Sequence, residues 1–158
     1  RVMSLRYFNV AGAASPELGD PGTFNLIPLV FQALTSGRRP QVFGADYATP
    51  DGTCIRDYVH VADIAEAHLS AARALDQGAT GATYNIGRGE GSSVLEVLAA
   101  VGDVTGLDVA YDVVDRRPGD PARVVAAVDR IRDDLGFEAT RDLHEMVRSA
   151  WAAWPQQS

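Results

Sequence analysis

Residues 51–68 read DGTCIRDYVHVADIAEAH, and this stretch decides the fold. The loop that opens it contains Gly52 and leads into residues 55–61, which are rich in strand-forming side chains. Asp63 is a suitable N-cap for an alanine-rich helix that would run to Leu75. A loop, a strand and a helix in this order predict one unit of an α/β fold.

Strands and helices alternate in the same way on both sides of this stretch. The pattern predicts further strands at residues 2–8, 41–43, 82–86 and 109–114. It predicts further helices at residues 25–36, from about 93, at 129–135 and at 142–154. Polar loops are predicted at residues 44–53 and 116–121. The fold class is therefore α/β, and ligands are expected beyond the carboxyl ends of its strands.

The composition is that of an ordinary globular protein, because 46% of the 158 residues are hydrophobic and 22% are charged. The net charge of −7 argues against a nucleic-acid partner, although a local arginine cluster would still hold one small anion. The apolar runs are too short to cross a membrane, and no secretory leader precedes the first of them. Together with a single cysteine, Cys54, these features predict a cytoplasmic protein.

All 14 basic residues are arginine, so a reaction that needs a catalytic lysine must find it outside this chain. The sequence begins with Arg1 and continues directly into an apolar run, VMSLRYF. We therefore expect the chain to be part of a longer protein.

The glycine run GRGEG at residues 87–91 follows a predicted strand and precedes a predicted helix. A dinucleotide-binding motif, G-x-G-x-x-G, would need a glycine where Ser92 stands. Ser93 and Glu96 instead form the S-x-x-E pattern of a helix capping box. A structural role for the glycine run is therefore favoured over a dinucleotide site.

The three histidines give no sign of a metal site. His60, His68 and His144 share no ligand spacing with one another or with Cys54. His60 lies in a predicted strand, where we interpret it as a hydrogen-bonded structural residue.

Three arginines are candidates for binding phosphate. Arg56, Arg116 and Arg117 carry a flat, permanently charged group that can pair with two phosphate oxygens at once. Surface ion pairing is the alternative, since Asp57 and Asp120 follow closely in the chain. A diphosphate is favoured for Arg56, because it stands between apolar and aromatic neighbours, where an arginine needs an anionic partner.

Three further side chains each have two interpretations. Phe43, beside Gly44, would either stack on a flat base or pack in the core. Asn9 and Asn25 would either cap turns and helices or donate hydrogen bonds to a sugar phosphate. The sequence leaves both alternatives open.

Five stretches, taken in order, resemble the UDP-glucose 4-epimerases, a family of the extended short-chain dehydrogenase/reductase superfamily. They are RYFNVAGA (6–13), FNLIPLVFQAL (24–34), VFGADYATPDGTCIRDYVHVADIAEAH (42–68), YNIGRGEGSSVLEV (84–97) and RRPGD (116–120). The RYFN stretch is shared with sugar-nucleotide dehydratases, whereas the long loop that leads into DGTCIRDY is more particular. The resemblance covers residues 2–154.

This resemblance implies roles for residues near the start of the chain. Phe8 would lie against the nicotinamide of NAD, and Asn9 would contact the diphosphate or the sugar. Asn25 and Leu26 would hold the nucleotide at the start of their helix.

It also implies roles for residues in the middle of the chain. Arg56 and Arg117 would clamp the diphosphate, and Asp120 would bond the ribose. Four positions after Asp120, relatives carry either a bulky aromatic or a smaller residue at the sugar pocket, and Val124 here implies acceptance of N-acetylated UDP-sugars. The residues that would surround the uracil are Gln41, Val42 and Phe43.

The activity implied by the resemblance is that of a NAD-dependent isomerase of galactose metabolism. It interconverts UDP-galactose and UDP-glucose through a 4-keto intermediate. Residues 1–158 would form its C-terminal portion, which consists of the substrate-binding lobe and the last strands and helices of a Rossmann-like fold. The full-length protein would be a homodimer.

The catalytic residues implied by the resemblance lie outside this chain. The NAD-binding portion, with a Tyr-x-x-x-Lys pair and a Ser or Thr donor, would lie upstream, so the chain alone would be inactive. Two alternatives remain at this point, namely another extended reductase, such as a nucleotide-sugar 4,6-dehydratase, and a stand-alone, non-catalytic UDP-sugar-binding module.

Overall fold

The computed structural model describes residues 1–20, 22–79 and 81–155. Within these ranges nine strands and five α-helices succeed one another, and helices alternate with strands as the sequence pattern predicts. The strands are β1 (Met3–Tyr7), β2 (Asn9–Ala11), β3 (Gln41–Phe43), β4 (Ile55–Arg56), β5 (Tyr58–His60), β6 (Ala82–Ile86), β7 (Ser92–Ser93), β8 (Asp112–Val114) and β9 (Arg123–Val124). The helices are α1 (Leu26–Thr35), α2 (Val61–Asp76), α3 (Val94–Thr105), α4 (Asp129–Leu135) and α5 (Leu143–Ala152).

The strands pair in small groups, and most of the pairs are parallel. β1 pairs with β6, β2 with β5 and β3 with β8, all in parallel. β4 lies between β7, which is antiparallel to it, and β9, which is parallel. At least one helix separates the two strands of every parallel pair in the chain, as a parallel crossover requires.

Several element boundaries agree closely with the sequence pattern. β3, β6 and α4 have the predicted bounds, and α1 begins directly after its N-cap, Asn25. At the start of α3, the Ser93 hydroxyl accepts the Glu96 N–H at 3.1 Å, and the Glu96 carboxylate accepts the Ser93 N–H at 2.7 Å. The predicted capping box is confirmed.

The predicted strand at residues 55–61 is divided in two by Asp57, and the helix after it starts earlier than predicted. The N-cap of α2 is His60, whose Nδ1 accepts the Ala62 N–H at 3.0 Å. The prediction that Asp63 is the N-cap is therefore wrong. Its side chain is fully buried and pairs with Arg141, because a buried carboxylate needs a charged partner.

The other differences concern short strands. The predicted strand at residues 2–8 spans Met3–Tyr7, and β2, which follows it at Asn9–Ala11, was not predicted. β7 and β9 contain two residues each and were not predicted, and β8 begins at Asp112 rather than at Val109. Such strands exist because a partner strand lies beside them, and their own residues give little signal.

Two apolar clusters form the core. The first packs α1, α3 and α5 together, and in it the ring of Phe31 makes edge contacts with Trp151 and Trp154 at centroid distances of 5.0 and 5.6 Å. The second packs β6 against α2 and α4 around the buried side chains of Ile86 and Ile131. Among the helices of the described residues, none is both long and apolar enough to cross a membrane.

Asp57, between β4 and β5, is fully buried, and its carboxylate accepts three backbone N–H groups. The N–H of Arg88 donates to Oδ1 at 2.8 Å, and those of Gly89 and Ala126 donate to Oδ2 at 3.0 and 3.1 Å. A Cβ added at Gly87 would lie 2.6 Å from Oδ2, so the glycine run must approach Asp57 closely. The run therefore wraps a carboxylate of its own chain, in keeping with the structural role favoured from the sequence.

His60 is buried and joins the start of α2 to α5. Its Nε2 lies 3.0 Å from Ser149 Oγ, which donates to the Met146 carbonyl at 3.1 Å. Because Nδ1 accepts from Ala62, the neutral ring donates its Nε2 proton to Ser149. Burial, assisted by the positive charge of Arg141, lowers the pKa of His60 below its ordinary value of 6.5. The prediction of a hydrogen-bonded structural histidine is confirmed.

We expect Asp57→Ala to lower the free energy of unfolding by about 3 kcal/mol or more, because three buried N–H groups lose their acceptor. The change is measured by urea denaturation of the protein that contains this chain. Asp108→Ala, at an exposed aspartate, is the matched control and should change the free energy by less than about 0.5 kcal/mol. Equal effects of the two substitutions would contradict the role given to Asp57.

We also expect His60 to make the fold sensitive to acid. The folded state holds His60 neutral, whereas histidine in the unfolded chain binds a proton near pH 6.5, so stability is complete above that pH and falls below it. The contribution is at most about 1.4 kcal/mol per pH unit. Urea unfolding at about pH 7.5 and about pH 5.5 should show a smaller pH dependence for His60→Asn than for the parent or for the exposed-site control His144→Asn. The same pH dependence in all three proteins would refute the expectation.

Candidate functional site

A cavity of about 600 Å³ lies between α1, the strands β3 and β4, and the turn that follows β8. A smaller cavity of about 260 Å³ adjoins it and is closed on one side by the end of α5. The two cavities share Asn9, Asn25, Leu26 and Tyr58. The residues that line the larger cavity are Asn9, Phe24, Asn25, Leu26, Leu29, Val30, Gln32, Ala33, Arg38, Arg39, Pro40, Gln41, Phe43, Cys54, Arg56, Tyr58, Val94, Arg117 and Asp120.

Most of the residues to which the family resemblance assigned a role lie around this one cavity. Those that line it are Asn9, Asn25, Leu26, Gln41, Phe43, Arg56, Arg117 and Asp120. They come from five separate parts of the sequence, so the fold brings together residues that no local pattern connects.

Three assigned residues lie outside both cavities. Phe8 lies between β1 and β2, and its N–H donates to the Ile86 carbonyl at 3.0 Å. Val42 is 1% exposed and packs in the first core cluster, so its side chain is not available to a ligand. Val124 lies on β9, opposite Arg56 in the pairing of β9 with β4.

The start of α1 presents the positive end of a helix to the cavity. Asn25 is the N-cap, and among the described residues its side chain makes no capping hydrogen bond. The amide nitrogen is 3.5 Å from a carboxylate oxygen of Asp20, which is a long contact. Unpaired N–H groups in a first helical turn favour a negatively charged or accepting group beside them.

Arg56 extends from β4 into the cavity, and only 14% of its side chain is exposed. Its Nη2 forms an ion pair with Asp120, and its Nη1 donates to the Ile55 carbonyl at 2.7 Å. The anionic partner that the sequence led us to expect for Arg56 is therefore present within the chain. A diphosphate would join this pair rather than supply a missing charge.

Arg117 differs from Arg56, because it rests on an aromatic ring. Its Cζ lies 3.9 Å from the centroid of the Phe43 ring. Within the part of the chain that the structure describes, no carboxylate forms an ion pair with Arg117. Its positive charge is thus uncompensated at the wall of the cavity.

Arg116, the neighbour of Arg117, lies outside the lining of the cavity. Its guanidinium lies 4.1 Å from the centroid of the Tyr47 ring and pairs with the carboxylate of Asp46. Ion pairing, the alternative given for the three arginines, therefore describes Arg116 as well as Arg56.

Several lining residues were not singled out from the sequence, and Cys54, Tyr58, Arg38 and Arg39 are among them. Cys54, Arg56 and Tyr58 are spaced two positions apart, and this spacing places side chains on the same side of an extended segment. That spacing was the signal that could have identified Cys54 and Tyr58. Arg38 and Arg39 are separated from β3 only by Pro40, and Arg39 pairs with Asp112 of the neighbouring strand β8 at 2.9 Å.

Burial controls the protonation of two of these groups. It raises the pKa of the Cys54 thiol above its ordinary value of 9.0, so the thiol stays protonated and is a poor nucleophile at neutral pH. It also raises the pKa of Tyr58 well above its ordinary value of 10.0. Neither group is activated for acid–base chemistry, so the cavity is suited to binding.

Comparison with known proteins shows the family to which this chain belongs. Residues 1–87 match the model of the NAD dependent epimerase/dehydratase family. A UDP-glucose 4-epimerase of Azospirillum brasilense is 47% identical, over 100% of this chain and 47% of that protein. A UDP-glucose 4-epimerase of Corynebacterium glutamicum is 41% identical, over 94% of this chain and 46% of that protein. The chain thus spans about half the length of the curated relatives it matches.

Solved structures give the same result. A UDP-glucose 4-epimerase from Stenotrophomonas maltophila, with bound NAD and formylated UDP-arabinopyranose, has a TM-score of 0.91 and 39% identity over 97% of this chain and 47% of that one. A UDP-glucose 4-epimerase from Bifidobacterium longum, in complex with NAD⁺ and UDP, has a TM-score of 0.84. It is 37% identical and covers 96% of this chain and 46% of its own. A UDP-Glc/GlcNAc 4-epimerase from Campylobacter jejuni has a TM-score of 0.78. It is 37% identical and covers 94% of this chain and 46% of its own.

These likenesses confirm the predicted fold class. The mixed α/β arrangement matches the C-terminal part of UDP-glucose 4-epimerase structures. The family model covers more than half of the chain, and its relatives match nearly all of it. The chain belongs to the NAD dependent epimerase/dehydratase family.

Proposed function

We propose that this chain binds the nucleotide part of UDP-glucose and UDP-galactose, and that the protein containing it is a UDP-glucose 4-epimerase, an isomerase. The observation that carries the proposal is Arg117, an arginine without a carboxylate partner among the described residues, in the same cavity as Arg56. Guanidinium groups bind phosphate oxygens in pairs, so a diphosphate is the ligand that these two residues suit.

The distribution of charge supports an anionic ligand. Four arginines, Arg38, Arg39, Arg56 and Arg117, line the cavity, whereas Asp120 is the one acidic residue of the lining. The whole chain has a net charge of −7. Positive charge is thus concentrated in the cavity of an otherwise acidic chain, which raises the local concentration of small anions.

The rest of the ligand is assigned to the surrounding lining. Asp120 would accept a hydrogen bond from the ribose, while Asn9 and Asn25 would donate to the diphosphate or the sugar. The β3 segment, from Gln41 to Phe43, would surround the uracil. Relatives whose structures contain UDP or a UDP-sugar support this class of ligand.

NAD would be held mainly by residues outside this chain. In the glycine run, the N–H groups of Arg88 and Gly89 bond to Asp57, so they are not free to hold the phosphates of a dinucleotide. Phe8 is the residue of this chain that we assign to the nicotinamide. When bound, NAD would accept a hydride from C4 of the sugar and return it, while the residues described here hold the nucleotide.

The organisation of the whole protein is part of the same proposal. We place residues 1–158 in the C-terminal portion, with the NAD-binding portion and the Tyr-x-x-x-Lys pair upstream. The absence of lysine from the sequence and the coverage of about half of the relatives support this placement. We assign the full-length protein to the cytoplasm as a homodimer.

Arg56→Ala should weaken the binding of UDP to the full-length protein by about 2–5 kcal/mol. The substitution removes a cation and also leaves Asp120 without a partner beside the diphosphate. The double substitution Arg56→Ala/Asp120→Asn removes this unpaired charge and keeps an oxygen that can accept from the ribose, so it should bind UDP more tightly than Arg56→Ala alone. Isothermal titration calorimetry with UDP measures all three affinities.

Arg132→Ala is the matched control, because this arginine lies on α4 and pairs with neighbouring aspartates of the same helix. It should change the Kd of UDP by less than about threefold. A change of less than about threefold for Arg56→Ala as well would overturn the assignment of the diphosphate to this cavity.

Val124 should allow the full-length enzyme to accept N-acetylated UDP-sugars. We expect kcat/KM for UDP-N-acetylgalactosamine to lie within about a thousandfold of that for UDP-galactose, a difference of less than about 4 kcal/mol. Val124→Tyr should lower the first value more than the second, because the larger ring would take the space of the acetyl group. The Campylobacter jejuni relative is described as acting on both kinds of sugar.

If kcat/KM of the parent enzyme for UDP-N-acetylgalactosamine were at least about a thousandfold below that for UDP-galactose, the role of Val124 would be refuted. Failure of the parent to convert UDP-galactose to UDP-glucose at all, with UDP binding intact, would overturn the proposed epimerase activity but not the proposed ligand.

A further inference from the structure

We propose that Arg116 is a positioning residue, which fixes the turn that carries Arg117 and so keeps Arg117 at the diphosphate. The inference rests on the proposed function, because it takes the diphosphate of a UDP-sugar as the ligand of Arg117. The family resemblance assigns no role to Arg116, and this residue lies outside the lining of the cavity. It acts through its neighbour and does not touch the ligand.

Residues 117–120 form one tight turn. The Asp120 N–H donates to the Arg117 carbonyl at 3.2 Å, and the two central residues are Pro118 and Gly119. Gly119 has a φ of +79°, which after a proline is typical of a type II turn. The first and last residues of the turn both line the cavity, so a displacement of the turn would move them away from the ligand.

Backbone hydrogen bonds hold this turn only at its two flanks. Before it, the Gly44 N–H donates to the Val114 carbonyl at 2.8 Å, where β8 ends beside β3. After it, the Ile55 N–H donates to the Ala122 carbonyl at 2.8 Å, where β9 lies beside β4. Among the described residues, no backbone hydrogen bond joins residues 115–121 to another segment. The position of the turn therefore depends on side-chain contacts.

Arg116, the residue directly before the turn, supplies such contacts. Its Nε lies 2.5 Å from a carboxylate oxygen of Asp46, and its Nη2 donates to the Asp46 carbonyl. Its guanidinium carbon lies 4.1 Å from the centroid of the Tyr47 ring, within the range in which a cation is attracted by a ring face. One side chain thus makes three contacts with two consecutive residues of the loop that precedes β4.

That loop is a firm support for Arg116. The Tyr47 side chain belongs to a residue that is only 6% exposed, and the Tyr47 N–H donates to the Gly52 carbonyl at 2.9 Å. Gly44 has a φ of +85°, and an added Cβ there would lie 2.5 Å from Arg116 Cγ and 2.9 Å from the Tyr47 ring. Glycine at this position therefore lets the arginine lie against the ring.

The contacts of Arg116 differ from those inside the cavity, because the ligand does not compete for them. On the cavity side, Asp120 is held by its ion pair with Arg56, which an incoming diphosphate must share. The contacts of Arg116 lie outside the cavity lining and persist when the nucleotide binds. They keep the turn in one position with and without ligand, which lowers the entropy lost on binding.

Calorimetry with UDP on the full-length protein tests this inference. Arg116→Gln should raise the Kd by about fivefold, the size expected when an exposed ion pair and a cation–ring contact are lost together. In an Arg117→Ala background, the same substitution should raise the Kd by less than about twofold, because the residue that it positions is gone. The Tm of Arg116→Gln should stay within about 3 °C of the parent's, because Arg116 and Asp46 are 42% and 79% exposed and such pairs add little stability.

Variants of Tyr47 separate the effect of the ring from that of the charge. Tyr47→Leu keeps the arginine but removes the ring face, so it should weaken UDP binding as Arg116→Gln does, with little further loss when the two are combined. Tyr47→Phe should bind UDP like the parent, because it keeps the ring face and the Tyr47 hydroxyl has no hydrogen-bond partner among the described residues.

Arg130→Gln is the matched control. Arg130 also lies over a tyrosine ring and beside an aspartate, at Tyr84 and Asp134, but on α4 and outside the cavity lining. Its substitution should change the Kd of UDP by less than about twofold.

Two results would overturn the inference and leave the proposed function intact. An undiminished effect of Arg116→Gln without Arg117 would show that Arg116 acts on the diphosphate through its own charge. A Kd of Arg116→Gln within about twofold of the parent's would show that the turn needs no such support. These two measurements decide the question by themselves if Tyr47→Leu fails to fold. A parent protein that binds no UDP would instead refute the proposed function, and this inference with it.

Discussion

The site depends on the hydrogen bonds that the buried carboxylate of Asp57 accepts from three backbone N–H groups. The neighbours of Asp57 on either side, Arg56 and Tyr58, line the cavity, so the position of Asp57 sets the position of both. The same carboxylate binds N–H groups of the glycine run and of the segment after β9, 31 to 69 residues away. Backbone dipoles thus stabilise the buried carboxylate, and one side chain joins two distant segments to the strands that carry Arg56 and Tyr58.

The sequence predicted those features that depend on local chemistry. The bounds of β3, β6 and α4 follow from strand and helix patterns, and the capping box of α3 needs only Ser93 and Glu96. The buried, hydrogen-bonded state of His60 also followed from its place in an apolar strand. The family resemblance then supplied the candidate residues of the site, most of which line one cavity.

The sequence could not predict features that depend on contacts between distant segments. Asp63 has the residue type of an N-cap, but its partner is Arg141, 78 residues away. Arg56 was judged to need an external anion because its neighbours are apolar, yet its partner is Asp120, 64 residues away. Two-residue strands such as β7 and β9 arise only when β4 lies beside them. In each case a charge or a hydrogen-bonding edge is satisfied through the tertiary structure.

The contrast between an acidic chain and an arginine-lined cavity determines which anions can reach the site. At physiological salt, charges separated by more than about 8 Å are largely screened, so the cavity arginines attract an anion only once it is close to the opening. A long polyanion would also have to approach the rest of a chain whose net charge is −7, whereas a small dianion would not. On the proposed function, this distribution of charge would favour small phosphate compounds over long ones before any contact with the base is made.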